Sequence, residues 1–267
     1  MTTIGFIGPG QMGMPMVERL TAAGHSVVAH ARREEVREQL SGLGARPVAD
    51  AREAADGVDL VLVCLFSDPQ LQDVAPSLID AAPRGAIIAS HVTGSIATIE
   101  ELATRARARG IEVLDAPVSG TSEAIRAGRL TVMLGGDADA VAAATGPIGS
   151  YSDPVLPTGS LGTALKMKLV NNLLFAANVQ LVAEAAALGE TLGLDTPTVL
   201  ATLAHCSGGS AASGYAAAAG SIDAFGTGVA HYIGKDVAVC KQVAAELGTT
   251  PELLLSVVDR GPLPLMS

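Results

Sequence analysis

The chain lacks any uninterrupted apolar run of about 18 residues, the length a membrane span requires, even though 49% of its 267 residues are hydrophobic. No membrane partner is expected. From Met1 it runs directly into Ile4-Gly5-Phe6-Ile7, without a basic leader, a long apolar segment or a small-residue cleavage site. The expectation is a soluble, cytoplasmic protein. Cysteine is scarce: Cys64, Cys206 and Cys240 are far apart, odd in number and outside any C-x-x-C pair, which argues against a disulfide framework and a zinc knuckle. All three read as packing residues, and no metal site is expected. A Lys/Arg-rich block is also missing. With 17 basic against 27 acidic side chains, the net charge of -10 repels a phosphate backbone, so nucleic acid is not an expected partner. Internal repeats are absent too.

What is present suits two domains, since a chain of this length can bury two modest cores. The first half alternates β-branched runs with amphipathic helix-length segments. Strands are expected at Thr3 to Ile7, Ser26 to His30, Leu60 to Leu65, Ala86 to Ser90, Glu112 to Asp115 and Thr131 to Leu134. Helices such as Met14 to Ala23 and Ile99 to Arg109 separate them, the pattern of βαβ units and a mainly parallel sheet. After an expected loop at Pro154 to Gly162 the texture changes. Ala164 to Leu192, rich in Ala, Leu and Val with Gly189 as its one breaker, predicts a helix of about 40 Å. Asp195-Thr196-Pro197 is a good helix start, Ser207 to Gly220 is rich in Gly, Ser and Ala, and a last helix is expected from Lys235 to Leu247. The apolar face of the long helix exceeds what the remaining residues can cover. A homodimer or higher homo-oligomer through this helical part is therefore expected.

Gly8-Pro9-Gly10-Gln11-Met12-Gly13 follows an expected strand and precedes an expected helix. In that setting G-x-G-x-x-G has a mechanical reading: Gly8 permits a tight turn, Gly10 lets backbone N–H groups approach a pyrophosphate, and Gly13 lets helix and strand close up. Residues 1–162 then form an NAD(P)-binding Rossmann domain with a doubly wound sheet, and residues 163–267 an all-helical domain led by a long interdomain helix. Where an NAD site would place an acid after the second strand, the sequence has Ala29-His30-Ala31-Arg32-Arg33. Two guanidiniums near a helix start suit a 2'-phosphate, which favours NADP, with NAD the alternative. The competing reading is that Arg32 and Arg33 are solvated and paired with Glu34 or Glu35.

With these motifs go Asp115-Ala116-Pro117-Val118-Ser119-Gly120 followed by Ala127-Gly128, Lys168-Leu169-Val170-Asn171-Asn172, and Lys235-Asp236. In this order over nearly the whole chain they resemble the β-hydroxyacid dehydrogenase family. The resemblance implies that Ser119 and the Gly120 backbone hold a substrate carboxylate, and it makes Lys168 the catalytic lysine. Asn172 would share the helix face of Lys168 at i+4, with Asn171 pointing elsewhere. It also places Gln11 and Met12 in the cofactor loop, Leu65 and Phe66 over the adenosine or ribose side, Thr93 near the nicotinamide, and Lys235 leaning towards cofactor and substrate. Thr121 departs from the family's glycine, which would narrow the pocket or add a hydroxyl. His91-Val92-Thr93-Gly94 departs from the usual Asp-x-Ser-Thr, with Ser95 as a substitute, and His91 becomes a second acid/base candidate that the family does not use. Relatives usually continue past Pro251 to Val258 with a further helix, so a short C-terminus is expected here.

The implied activity is hydride transfer between a nicotinamide cofactor and a small β-hydroxy acid or acid semialdehyde, with Lys168 as general acid/base. The alternatives are an imine reductase-like enzyme, against which Lys168 argues, and a non-catalytic dinucleotide-binding protein. The bland reading of Lys168 and Asn172 is two polar residues on the wet side of a helix, beside a solvated Lys166.

Overall fold

The computed structural model describes residues 1–246 and 248–265. The chain divides into two compact units, Met1–Lys168 and Leu169–Ser267. In the first, β1 (Thr3–Ile7), α1 (Gly13–Ala22), β2 (Ser26–His30), α2 (Glu34–Gly42), β3 (Arg46–Val48) and α3 (Ala51–Ala55) are followed by β4 (Leu60–Val63), α4 (Asp68–Ala81), β5 (Ile87–Ser90) and α5 (Ile96–Arg107). Then come β6 (Glu112–Asp115), β7 (Val118–Ser119), α6 (Ser122–Arg126), β8 (Leu130–Gly135), α7 (Ala138–Ile148) and β9 (Ser152–Gly159).

The strands order as β3-β2-β1-β4-β5-β6-β8-β7, with β9 beside β8. Neighbours from β3 through β6 are parallel, whereas β8 runs antiparallel to β6 and β7. This is the expected doubly wound sheet, and its strand order reverses between β1 and β4. The period of two along each strand divides its side chains between two cores. In β4, Leu60 and Leu62 join Phe6, Met16 and Leu114 on one face, while Val61 and Val63 join Ile7, Leu78 and Ile88 on the other. Burial on both faces explains why the central strands read as continuous apolar runs.

Three strands differ from expectation. β9 occupies much of the segment expected to be a loop, and β3 and β7 are short additions at or near the sheet edges. β9 contains Pro154 and Pro157, and proline is tolerated where a strand has a neighbour on one side only.

α8 (Thr163–Thr191) starts in the first unit and leads into the second, where α9 (Thr196–Leu203), α10 (Ala211–Ala219), α11 (Ile222–Glu246) and α12 (Glu252–Arg260) follow. At 29 residues α8 is about 44 Å long. It is long and apolar enough to cross a membrane by length and composition, yet 56% of its most apolar window is buried inside the protein. In the second unit the buried Gln180 side chain donates to the carbonyls of Val258 (3.1 Å) and Leu263 (2.8 Å) and accepts from the Leu263 N–H (2.8 Å). It thereby pins the segment after α12. The helix expected to open at Lys235 opens instead at Ile222, so Lys235 and Asp236 lie in its middle; Leu247, its expected end, lies outside the described residues. Of the three cysteines, Cys240 is buried and Cys64 half-buried, but Cys206 is exposed and is not a packing residue.

Candidate active site

Parallel register carries the ends of five strands to one edge of the sheet. Ile7 lies opposite His30 and Val63, Val63 opposite Ser90, and Ser90 opposite Asp115. The residues that follow each strand therefore emerge together: Gly8 to Gly13, Ala31 to Arg33, Cys64 to Phe66, His91 to Thr93, and Ala116 to Gly120. An open α/β sheet binds ligands at this carboxyl edge, at the point where strand order reverses.

At that point the three glycines are not equivalent. Gly8 has φ +90° and lies against the Cys64 carbonyl, and a side chain at Gly13 would run into the Gly8 carbonyl; the fold itself requires both. Gly10 is different. It is exposed, has no left-handed φ, and a Cβ there would meet nothing within 4 Å. The fold gives Gly10 no reason to lack a side chain, whereas a ligand approaching the backbone does. α1, which begins three residues later, has no side-chain cap and no acid in its first turn. In the same unit the N-cap side chains of Asp50, Ser95, Thr121 and Asp137 occupy the starts of α3, α5, α6 and α7. The residues at the head of α1 fit a pyrophosphate, with exposed Gln11 and half-buried Met12 beside it.

Arg32 and Arg33 are exposed in the β2–α2 turn, and among the described residues neither guanidinium makes an ion pair. Glu34 pairs with Arg37 instead, and Arg37 also donates to the carbonyls of Ala31 (2.9 Å) and Arg32 (3.1 Å). That side chain shapes the turn and leaves the two arginines facing solvent.

Leu65 is half-buried on the α4 side of the sheet, and Phe66 is exposed with its N–H donating to Gln70 Oε1 at 2.9 Å. Thr93 is half-buried. The Ser95 hydroxyl caps α5 by accepting from the Thr98 N–H (3.1 Å). His91 is not at a cleft mouth. It is 5% exposed, with Nδ1 2.6 Å from the Ala116 carbonyl and Nε2 2.9 Å from the Tyr151 hydroxyl. The carbonyl only accepts, so Nδ1 carries the hydrogen and Nε2 accepts from Tyr151. Burial lowers the imidazole pKa to about 4. His91 is a neutral brace at physiological pH.

Ser119 ends the short strand β7, paired with Thr131, and Gly120 follows with φ +135°. The Thr121 hydroxyl caps α6 through the Ala124 N–H (3.4 Å), a local reason for threonine at this position. On α8, Lys166 is exposed, Lys168 half-buried and Asn172 buried, so the lysines differ and Asn172 is not on a wet face. Within the second unit Asn172 Nδ2 donates to Asp236 Oδ2 at 2.6 Å, Asn171 Nδ2 donates to Asn172 Oδ1 at 3.0 Å, and Lys235 Nζ lies 3.5 Å from Asp236 Oδ1. Asn171 thus leans back towards Asn172, and Asp236 joins Asn172 to Lys235. Among the described residues, no group of three or more His, Cys, Asp or Glu is placed to hold a metal ion.

Residues 3–159 match the family model of the NAD binding domain of 6-phosphogluconate dehydrogenase, and residues 162–259 match that of the NAD-binding domain of NADP-dependent 3-hydroxyisobutyrate dehydrogenase. The human mitochondrial 3-hydroxyisobutyrate dehydrogenase is 33% identical over 211 residues, 78% of this chain and 62% of the relative.

The chain belongs to the β-hydroxyacid dehydrogenase family.

It spans under two thirds of the length of the curated family member named above. Among solved structures, the Mycobacterium tuberculosis 3-hydroxyisobutyrate dehydrogenase with L-serine superposes with a TM-score of 0.86 at 24% identity, covering 100% of this chain and 97% of the other. Psf3 in complex with NADP+ and 2-OPP superposes at 0.82 and 25% identity, covering 96% and 92%. This family's fold accounts for the doubly wound sheet followed by helices.

Proposed function

We propose that the chain catalyses reversible hydride transfer between NADP(H) and a small acid carrying a β-hydroxyl or, in the reductive direction, an aldehyde. The observation that carries this reading is the juxtaposition at one sheet edge of the uncapped glycine loop and the Ser119-Gly120 turn, with Lys168 at the head of the helix tied to that edge by Asp115. The nicotinamide, when bound, supplies or accepts the hydride. The Ser119 hydroxyl and the Gly120 N–H bind the substrate carboxylate. Lys168 Nζ donates a proton to the carbonyl oxygen as charge builds there, and takes it back from the alcohol in the oxidative direction. Asn172, held by Asp236, orients the same oxygen. In this reading Leu65, Phe66, Thr93 and Lys235 serve the cofactor.

NADP is preferred to NAD because Arg32 and Arg33 face solvent without acidic partners and the turn directly after β2, Ala31 to Arg33, holds no acid. A 2'-phosphate gains charge-assisted hydrogen bonds there. The NADP+ complex of Psf3 is in line with that choice. Val170, Leu174, Leu181 and Leu188, each at least half exposed, recur along α8 at spacings of four and seven, and a second copy of the chain covers them. Light scattering then gives a multiple of 26.8 kDa.

The decisive assay follows nicotinamide absorbance with NADPH and NADH in parallel against small hydroxy acids, acid semialdehydes, glyoxylate and cyclic imines. Turnover of an acid substrate that falls by about 10² or more in Lys168→Ala supports the reading. A loss within about tenfold removes Lys168 from the proton transfer, and turnover of imines alone assigns the site to imine reduction.

A further inference from the structure

Asp115 is the last residue of β6 and only 1% exposed, yet it carries a carboxylate. Its Oδ1 accepts the Gly162 N–H and its Oδ2 the Leu165 N–H, both at 2.8 Å. These are donors at the start of α8, which a helix leaves unsatisfied unless something outside its own ladder takes them. Where a side chain caps another helix of this unit, the cap is the residue immediately before the helix: Asp50, Ser95, Thr121 and Asp137. α8 is served from 47 and 50 residues away. A buried carboxylate is a costly way to cap a helix, since desolvation raises its pKa against the pull of the N–H groups. What it adds is a link between two distant segments. Asp115 begins the segment that ends in Ser119 and Gly120, and α8 carries Lys168 one turn beyond Leu165. The space is built for that carboxylate. Gly135 lies opposite Asp115 in β8, and a Cβ there would collide with Asp115 Oδ1 and come within 3.1 Å of the Ala164 nitrogen. The segment is braced again one residue later, where the Ala116 carbonyl accepts from His91 and the Ala116 N–H donates to Ser90 (2.8 Å).

We propose that Asp115 is a positioning residue that holds the 116–120 segment and the first turn of α8 in one register, and so sets where Lys168 stands relative to Ser119. The consequence for turnover rests on the function proposed above; the mechanical link does not. Two variants break the link by different routes: Asp115→Asn removes the charge, and Gly135→Ala displaces the carboxylate while keeping its charge. Asp137→Ala, which loses the cap of α7, is the control for stability alone.

Peptide-resolved hydrogen exchange reads the link directly. In the parent chain, the amides of 162–165 and of 116–120 open in the same step as urea is raised, because the carboxylate that holds 162 and 165 belongs to the residue from which the 116–120 segment starts. In Asp115→Asn and Gly135→Ala, protection falls in both segments together and stays unchanged in β1 and α1. kcat falls about tenfold or more, as misplacement of a reacting group does, while NADPH affinity measured by nicotinamide fluorescence holds within about threefold, and Asp137→Ala keeps the parent kcat. Independent opening of the two segments in the parent, or loss confined to 162–165 in the variants, reduces Asp115 to an ordinary helix cap and overturns the proposal. A parent chain that turns over no acid substrate sinks the functional reading, and the exchange result still decides the link.

Discussion

Acid should destabilise the first unit through His91, by an amount the structure sets. The imidazole is sealed between the Ala116 carbonyl and the Tyr151 hydroxyl and has a pKa of about 4, against 6.5 for the exposed side chain. At about 1.4 kcal/mol per pH unit, that difference amounts to about 3 kcal/mol of folding stability. Between pH 6.5 and about 4 the unfolded chain binds a proton that the folded chain refuses, so stability is full above about pH 7 and drains as pH falls through this window. Tyr151 and the Cys64 thiol near it stay neutral there: burial pushes Cys64 up to about 12 and Tyr151 well above its usual value. Asp115 works in the opposite direction. Its raised pKa makes the folded chain take up a proton first, and this offsets part of the slope at the acid end. Urea unfolding followed by circular dichroism from pH 7.5 to 4.5, in the parent and in His91→Asn, isolates the histidine. The variant starts lower by about 1–3 kcal/mol, because Tyr151 loses its acceptor, but its stability declines less with acid, so the two curves converge. Parallel curves would refute the assignment of His91 as a buried neutral brace.

Gly13→Ala should fail to fold or lose several kcal/mol, since its side chain meets the Gly8 carbonyl, while Gly10→Ala should keep the parent Tm and lose NADPH affinity about tenfold or more. Calorimetry with titration of NADPH checks both, and unchanged affinity in Gly10→Ala removes the pyrophosphate from this loop. Arg32→Ser with Arg33→Ser should weaken NADPH about ten- to a hundredfold and leave NADH within about threefold, because the lost charge-assisted bonds reach only the 2'-phosphate. Equal losses for both cofactors contradict the 2'-phosphate reading.

Much of this protein was legible because short-range rules act on it. β1, β2 and β6 fall where their apolar runs end, and the Gly8 to Gly13 loop sits between a strand and a helix as its spacing requires. The prediction failed where tertiary contacts override local preference. α11 begins 13 residues before the expected start because Gly226 and Gly234, which discourage a helix on propensity, lie against Leu263 and the Leu265 carbonyl, where a side chain would not fit. β9 was hidden by Pro154 and Pro157, which are tolerated once the strand is at an edge.

The site divides in the same way. The Gly8, Gly10 and Gly13 loop is legible from its spacing between a strand and a helix, whereas Lys168, Asn172, Ser119 and Lys235-Asp236 are singled out only by the resemblance to the family. Sequence alone thus determined the alternation of strand and helix, the glycine loop and the identity of the polar residues, because these depend on neighbours a few positions away. Only the tertiary structure decided that His91 is a brace rather than an acid, that Tyr151 is its partner from 60 residues away, and that Asp115 caps a helix 47 residues on. Burial and hydrogen-bond partners belong to the packed chain, and no local pattern encodes which distant donor a buried carboxylate will meet.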